Sequence, residues 1–166
     1  QGTHILLADP GNSYQGLCRM MHDRTRGEDG IYITYEEDNP IAFNPFYTDC
    51  GLFDVEKRES IKTLILTLWK REDEAPKRSE EVALSGAVNA YIRMISENQG
   101  IKPDFNGFYE FVADDYRRMI EEKKVREKDF DIDGFLNVLA PFYKGGDYDF
   151  LLNSDKELDL TGKRFI

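Results

Sequence analysis

The sequence predicts an α/β fragment: an incomplete sheet of two to four strands interrupted by an all-helical block of about four helices. Three observations lead there. Short apolar or β-branched runs stand near the beginning, at residues 4–8 and 31–35, bounded by Asp, Pro, Asn and Gly. Between residues 54 and 146 the pattern changes to apolar residues at helical spacing, with acidic caps and glycine stops. After Gly146 the chain reads as extended again, through Phe150-Leu151-Leu152 and a final Phe165-Ile166. Strands, then helices, then strands is the order expected when a helical block interrupts an α/β domain. The segments are residues 1–50 for a partial α/β core, 51–146 for the helical block and 147–166 for the return.

The elements follow in order. Residues 4–8 read as a buried strand, ended by Asp9-Pro10-Gly11-Asn12. Ser13 offers an N-cap to a helix carrying Tyr14, Leu17, Met20 and Met21. Residues 31–35 form a second strand, and Ile41-Ala42-Phe43 a short third one that Asn44-Pro45-Phe46 ends, since proline cannot donate to a ladder. Asp54 caps a helix with Ile61, Leu64, Ile65 and Leu68 on one stripe and Trp69 beside it. A charged, proline-containing hinge over 71–78 leads to a second helix starting at Ser79, with Val82, Val88, Tyr91, Ile92 and Ile95 inward. Asn98-Gln99-Gly100 stops it. Asp104 caps a third helix with Phe105, Phe108, Phe111, Val112, Met119 and Ile120 inward, and Asp131 or Asp133 a fourth with Phe135, Leu136, Leu139 and Phe142. Lys144 followed by Gly145-Gly146 closes the fourth.

Composition narrows function. The chain has 166 residues and a net charge of −10, which disfavours a broad nucleic-acid face because phosphates repel acidic surfaces. Apolar residues make up 40%, enough for a packed core. No apolar run approaches the roughly 18 residues of a membrane span, and no signal peptide opens the chain. It starts on Gln1 rather than Met and closes on Arg164-Phe165-Ile166, as an excerpt of a longer protein would. Cys18 and Cys50 have neither a C-x-x-C spacing nor a histidine cluster, so reduced thiols are expected.

The search for chemistry returns absences. Gly162-Lys163 is followed by Arg164, and residue 157 is Glu where G-x-x-x-x-G-K-[ST] needs glycine, so the backbone cradle for phosphates is lacking. His4 and His22 are the only histidines, which excludes an H-E-x-x-H zinc site. Adjacent acids such as Asp114-Asp115, Glu121-Glu122 and Glu80-Glu81 point about 100° apart on a helix and do not converge. The basic residues Lys62, Lys70, Arg71, Lys77 and Arg78, and Arg117 through Lys128, alternate with acids as on ion-paired exposed helices. No catalytic residue and no metal ligand is assigned. Asp9 stands at the carboxyl end of a predicted core strand, where ligands gather in open α/β sheets. It serves equally as a turn former with Pro10-Gly11.

Several stretches resemble the TraG-type conjugation ATPases, the motors of type IV secretion systems, and most closely those of Bacteroides-type conjugative transposons. Ile5-Leu6-Leu7-Ala8-Asp9-Pro10-Gly11-Asn12-Ser13-Tyr14-Gln15-Gly16-Leu17-Cys18 is similar to their segment after the Walker A helix. Ile41-Ala42-Phe43-Asn44-Pro45-Phe46 resembles their F-N-P-F element. Residues 58–72 resemble the first helix of their helical insertion, and residues 134–153 with 163–166 the return into the sheet. The resemblance spans essentially the whole chain. It implies a partial RecA-like core, with Walker A just before Gln1 and Walker B just after Ile166. It also implies ATP and Mg as cofactors of the parent rather than of the fragment, and Asp9 as the one residue near the nucleotide. Related motors carry D-P-x-G-E-Y there; Asp9, Pro10 and Tyr14 match, and Ser13 takes the place of the Glu. The implied partners are other subunits and type IV secretion components, in the cytoplasm at the inner face of the bacterial inner membrane. An unpaired strand edge would also offer a dimer contact. The alternative reading is a free-standing acidic helical interaction domain without catalysis.

Overall fold

The computed structural model describes residues 13–26, 42–48, 51–71, 73–98 and 100–154. The chain forms two compact units, one of Gln1–Ile41 with Leu158–Ile166 and the other of Ala42–Glu157.

In the first unit the described element is α1, Gln15–Arg24. Tyr14, not Ser13, is its N-cap, and no side chain caps it. Its buried residue is Cys18, whereas Tyr14, Leu17 and Met20 are exposed. Burial raises the Cys18 thiol above its ordinary pKa.

The second unit is helical. Helix α2, Val55–Trp69, starts where Asp54 accepts from the Lys57 N–H at 2.7 Å, satisfying one of the helix's orphan donors. Helix α3, Arg78–Glu97, begins one residue before the expected Ser79. The Glu80 carboxylate reaches back to the Lys77 N–H at 2.8 Å and closes that end. Lys70 meets Glu80 at one end of the pair and Arg58 meets Asn89 at the other, so α2 and α3 run antiparallel. Asp104 caps α4, Phe105–Phe111, by accepting from Gly107 N–H at 2.8 Å. The rod continues without a break through a π-helical turn, Val112–Tyr116, into α5, Arg117–Glu122. Asp131 rather than Asp133 caps α6, Ile132–Leu139, which ends in a 3-10 turn over Ala140–Phe142.

One apolar core joins these rods. Ile61 and Ile65 of α2, Leu84, Val88 and Tyr91 of α3 and Phe105, Phe108 and Phe111 of α4 are all buried in it, with Tyr91 5.6 Å from both Phe108 and Phe111. Trp69 stands edge-on to Phe135 at 5.0 Å and to Phe130 at 5.9 Å, tying α2 to α6. The extra residue in the π turn brings Phe111 and Tyr116, five positions apart, onto one buried side with ring centroids 6.4 Å apart. Val82 and Met119, expected inward, are exposed instead.

The expected partial sheet is overturned: no strand occurs among the described residues, which are helices, turns and irregular segments. Ala42 and Phe43 are irregular. Residues 150–152 belong to successive turns, with Tyr148 N–H donating to Pro141 O at 2.8 Å and Leu151 N–H to Tyr148 O at 3.1 Å. An apolar triplet such as Phe150-Leu151-Leu152 fits a buried turn as well as a strand; here the N–H groups of Tyr148, Asp149 and Leu151 donate to carbonyls within residues 141–148, as in turns rather than in a ladder. The predicted strands at 4–8 and 31–35 and the final Phe165-Ile166 lie outside the described residues. The described residues therefore offer no strand edge for a dimer.

Candidate functional site

The most organised polar cluster of the second unit lies where its chain enters and leaves. Phe43 N–H donates to Leu151 O at 2.9 Å, and Ser154 N–H donates to Phe43 O at 3.4 Å. Residues more than 100 places apart in sequence are thereby held side by side, and the helices between them form a closed excursion.

Three asparagines lock this neck onto the first turn of α4. Asn44 is buried; its Nδ2 donates to Pro103 O at 2.8 Å and its Oδ1 accepts from Phe46 N–H at 2.9 Å. Asn153 Oδ1 accepts from the Asn106 N–H at 2.9 Å, while its Nδ2 donates to Asp149 O at 2.7 Å. Asn106 Oδ1 accepts from Lys144 N–H at 3.0 Å. Amides suit this work because each offers both a donor and an acceptor and carries no charge to desolvate.

The F-N-P-F element supplies an apolar plug beside the lock. Phe46 is completely buried, edge-on to Tyr91 at 5.0 Å and stacked on Phe108 at 5.4 Å. Tyr91 joins plug to lock: its hydroxyl donates to Asp104 O at 3.1 Å and accepts from Asp104 N–H at 3.3 Å. Gly107 permits this approach, since a Cβ there would stand 2.6 Å from the Tyr91 hydroxyl. Burial pushes the Tyr91 phenol far above its ordinary pKa, so it stays a hydrogen-bonding alcohol at neutral pH.

The neck contains no activated nucleophile and no acid–base pair; what it can do is fix two chain segments to one helix end. Asp9, the one residue assigned to a nucleotide, lies outside the described residues. So does His4, while His22 is exposed on α1. Asp115 of the Asp114-Asp115 pair is bound to Arg118 at 2.6 Å. The basic stretch of α5 and the following loop is likewise ion-paired, Arg117 with Asp133 and Arg126 with Asp129, each at 2.6 Å. Among the described residues no group of three or more His, Cys, Asp or Glu is placed to hold a metal ion, and no helix is long and apolar enough to cross a membrane.

From sequence, Asn44 is legible only as the end of a strand, and Asn106 and Asn153 carry no signal. The asparagine-proline step at 44–45 marks a turn; its bond to Pro103 depends on tertiary structure.

The family model for the TraG P-loop domain matches residues 1–166, and the chain belongs to that family. It is thus a TraG-type member of the conjugation-related P-loop ATPases. No curated protein and no solved structure gives a significant match.

Proposed function

We propose that this chain serves a conjugation ATPase as a helical module for regulation or subunit contact, while other parts of the protein hold the nucleotide phosphates. The parent protein couples ATP hydrolysis, with Mg, to the type IV secretion machinery at the inner face of the bacterial inner membrane. Asp9 lines the nucleotide's surroundings there without acting as acid or base. Other subunits and secretion components are the partners, and direct nucleic-acid contact by this acidic chain has no part in the reading.

The neck carries the proposal. Because Phe43 is bonded to both Leu151 and Ser154, the helical unit hangs from adjoining ends. Such a unit can shift as one body and transmit force through two neighbouring chain segments. The sequence supports the division of labour, since it contains no G-x-x-x-x-G-K-[ST] with which to cradle a triphosphate.

Two experiments test it. Titration of the chain with a fluorescent ATP analogue and Mg is expected to show no saturable binding; affinity in the micromolar range would contradict the proposal. In the parent ATPase, replacing residues 44–152 with a short Gly-Ser linker between Phe43 and Asn153 is expected to preserve nucleotide binding and abolish DNA transfer. Unimpaired transfer would remove the assigned role.

A further inference from the structure

On the α2–α3 face, away from the neck residues, a cavity of about 450 Å³ is lined by Arg58, Asn89, Ile92, Arg93 and Ser96. Asn89, Arg93 and Ser96 follow one another at i, i+4 and i+7 along α3, so they share a stripe. Arg58 reaches the same cavity from α2.

Arg58 is held in place. Its Nε donates to Phe53 O at 2.9 Å and its Nη1 to Asn89 Oδ1 at 2.8 Å. The second bond also orients the Asn89 amide, turning Nδ2 away from Arg58 as an unused donor. Ser96 borders the cavity but already donates its proton to Ile92 O at 2.7 Å. Arg93 makes no hydrogen bond or ion pair with the described residues, and no carboxylate lines the cavity.

The chain carries 32 acidic against 22 basic residues, and Arg117, Arg118 and Arg126 each hold a carboxylate. Of the acids nearby, Glu59 pairs with Lys62 and Asp115 with Arg118, while Glu97, one turn on from Arg93, lines an adjoining hollow with it and makes no ion pair. Two guanidinium groups facing one space without an anion repel each other.

We propose that Arg58, Asn89 and Arg93 form a binding site for a dianionic phosphate monoester group. A carboxylate brings one charge and two oxygens. A phosphate monoester brings close to two charges near neutral pH and three acceptor oxygens, matching the free guanidinium fork of Arg93, the remaining N–H groups of Arg58 and one amide. Ile92 gives the carrier of the phosphate an apolar wall, and the cavity leaves room for it.

The test is a titration of the 166-residue chain, followed by NMR at constant ionic strength, with inorganic phosphate, a phosphoserine peptide and an aspartate-rich peptide. Saturable binding of the two phosphate ligands is expected, with shifts in the Asn89 side-chain amide. Arg93→Gln should weaken it by roughly tenfold or more. Arg93 is exposed and unbonded, so this variant keeps its fold, which circular dichroism verifies. Tighter binding of the phosphoserine peptide than of inorganic phosphate would mark a modified protein segment as the source, and the reverse a free phosphate. Absence of saturable phosphate binding, equal affinity in Arg93→Gln, or preference for the aspartate-rich peptide would overturn the proposal.

Discussion

Phe46 and Tyr91 meet edge to face at 5.0 Å, and this contact joins the segment entering the helical unit to the middle of its longest helix. The ring of Phe46 is wholly buried and the Tyr91 hydroxyl is bonded to Asp104. Plug and lock are therefore one structure. Phe46→Ala should cost roughly 3–5 kcal/mol, the usual range for deleting a buried aromatic ring. Urea unfolding of the variant reads the loss directly, and an unchanged midpoint would remove Phe46 from the core.

Asn44 tests the polar half of the neck. Asn44→Ala strands the Pro103 carbonyl and the Phe46 N–H, and each stranded buried group costs about 1–3 kcal/mol. Asn44→Asp should be worse: it keeps an acceptor for the Phe46 N–H, but it sets a carboxylate oxygen against the Pro103 carbonyl and buries a charge. The expected order of urea midpoints is wild type, then alanine, then aspartate.

Gly86 and Tyr116 are coupled. The Tyr116 hydroxyl donates to Ala83 O at 2.6 Å, and a Cβ on Gly86 would lie 2.7 Å from that hydroxyl but 3.6 Å from the nearest ring atom. In a helix interior Gly→Ala ordinarily gains up to about 1 kcal/mol. Here that gain should be lost or reversed in the wild-type background and recovered in Tyr116→Phe. A double-mutant cycle measures the difference; strict additivity would show that the hydroxyl does not block the site.

The pH dependence has two limbs. Burial alone would raise the Glu80 carboxyl, but bonds from the Lys77 N–H and the Lys70 ammonium outweigh it and hold the pKa below the ordinary value. A lowered folded pKa gives stability that is present above the unfolded value, roughly 4.3, and lost as pH falls through the folded one. The stability gap between wild type and Glu80→Gln should therefore be larger at pH 7 than at pH 3. At the alkaline limb, burial raises Tyr91 and Tyr116 above the ordinary phenol value. Their contribution is intact below the unfolded value, about 10, and is lost as pH climbs toward the folded ones. Absorbance titration at alkaline pH should show these phenols ionising only with unfolding.

The helical caps were the readable part of this chain. Asp54, Asp104 and Asp131 each accept from the N–H three residues on, as cap chemistry alone requires. Ser79 misled because Glu80 closes the helix from inside, back to Lys77. The π turn at Val112–Tyr116 was unreadable: one extra residue in a turn changes neither composition nor the apolar count. Phe150-Leu151-Leu152 has the composition of a strand, and only the bonds of the folded chain, Tyr148 N–H to Pro141 O and Leu151 N–H to Tyr148 O among them, distinguish the turns it forms. The neck asparagines escaped because their partners lie 47 and 59 residues away in sequence. Of the site, family resemblance picked out the F-N-P-F segment, but its function as a plug emerged only from the rings it touches.

The most direct test of the closed helical unit is to express residues 42–157 alone and follow thermal unfolding by circular dichroism. A helical spectrum and a single cooperative transition, lost or shifted downward in Phe46→Ala, are expected. A gradual, non-cooperative melt of the isolated segment would contradict the claim that the unit is tied together by its own neck.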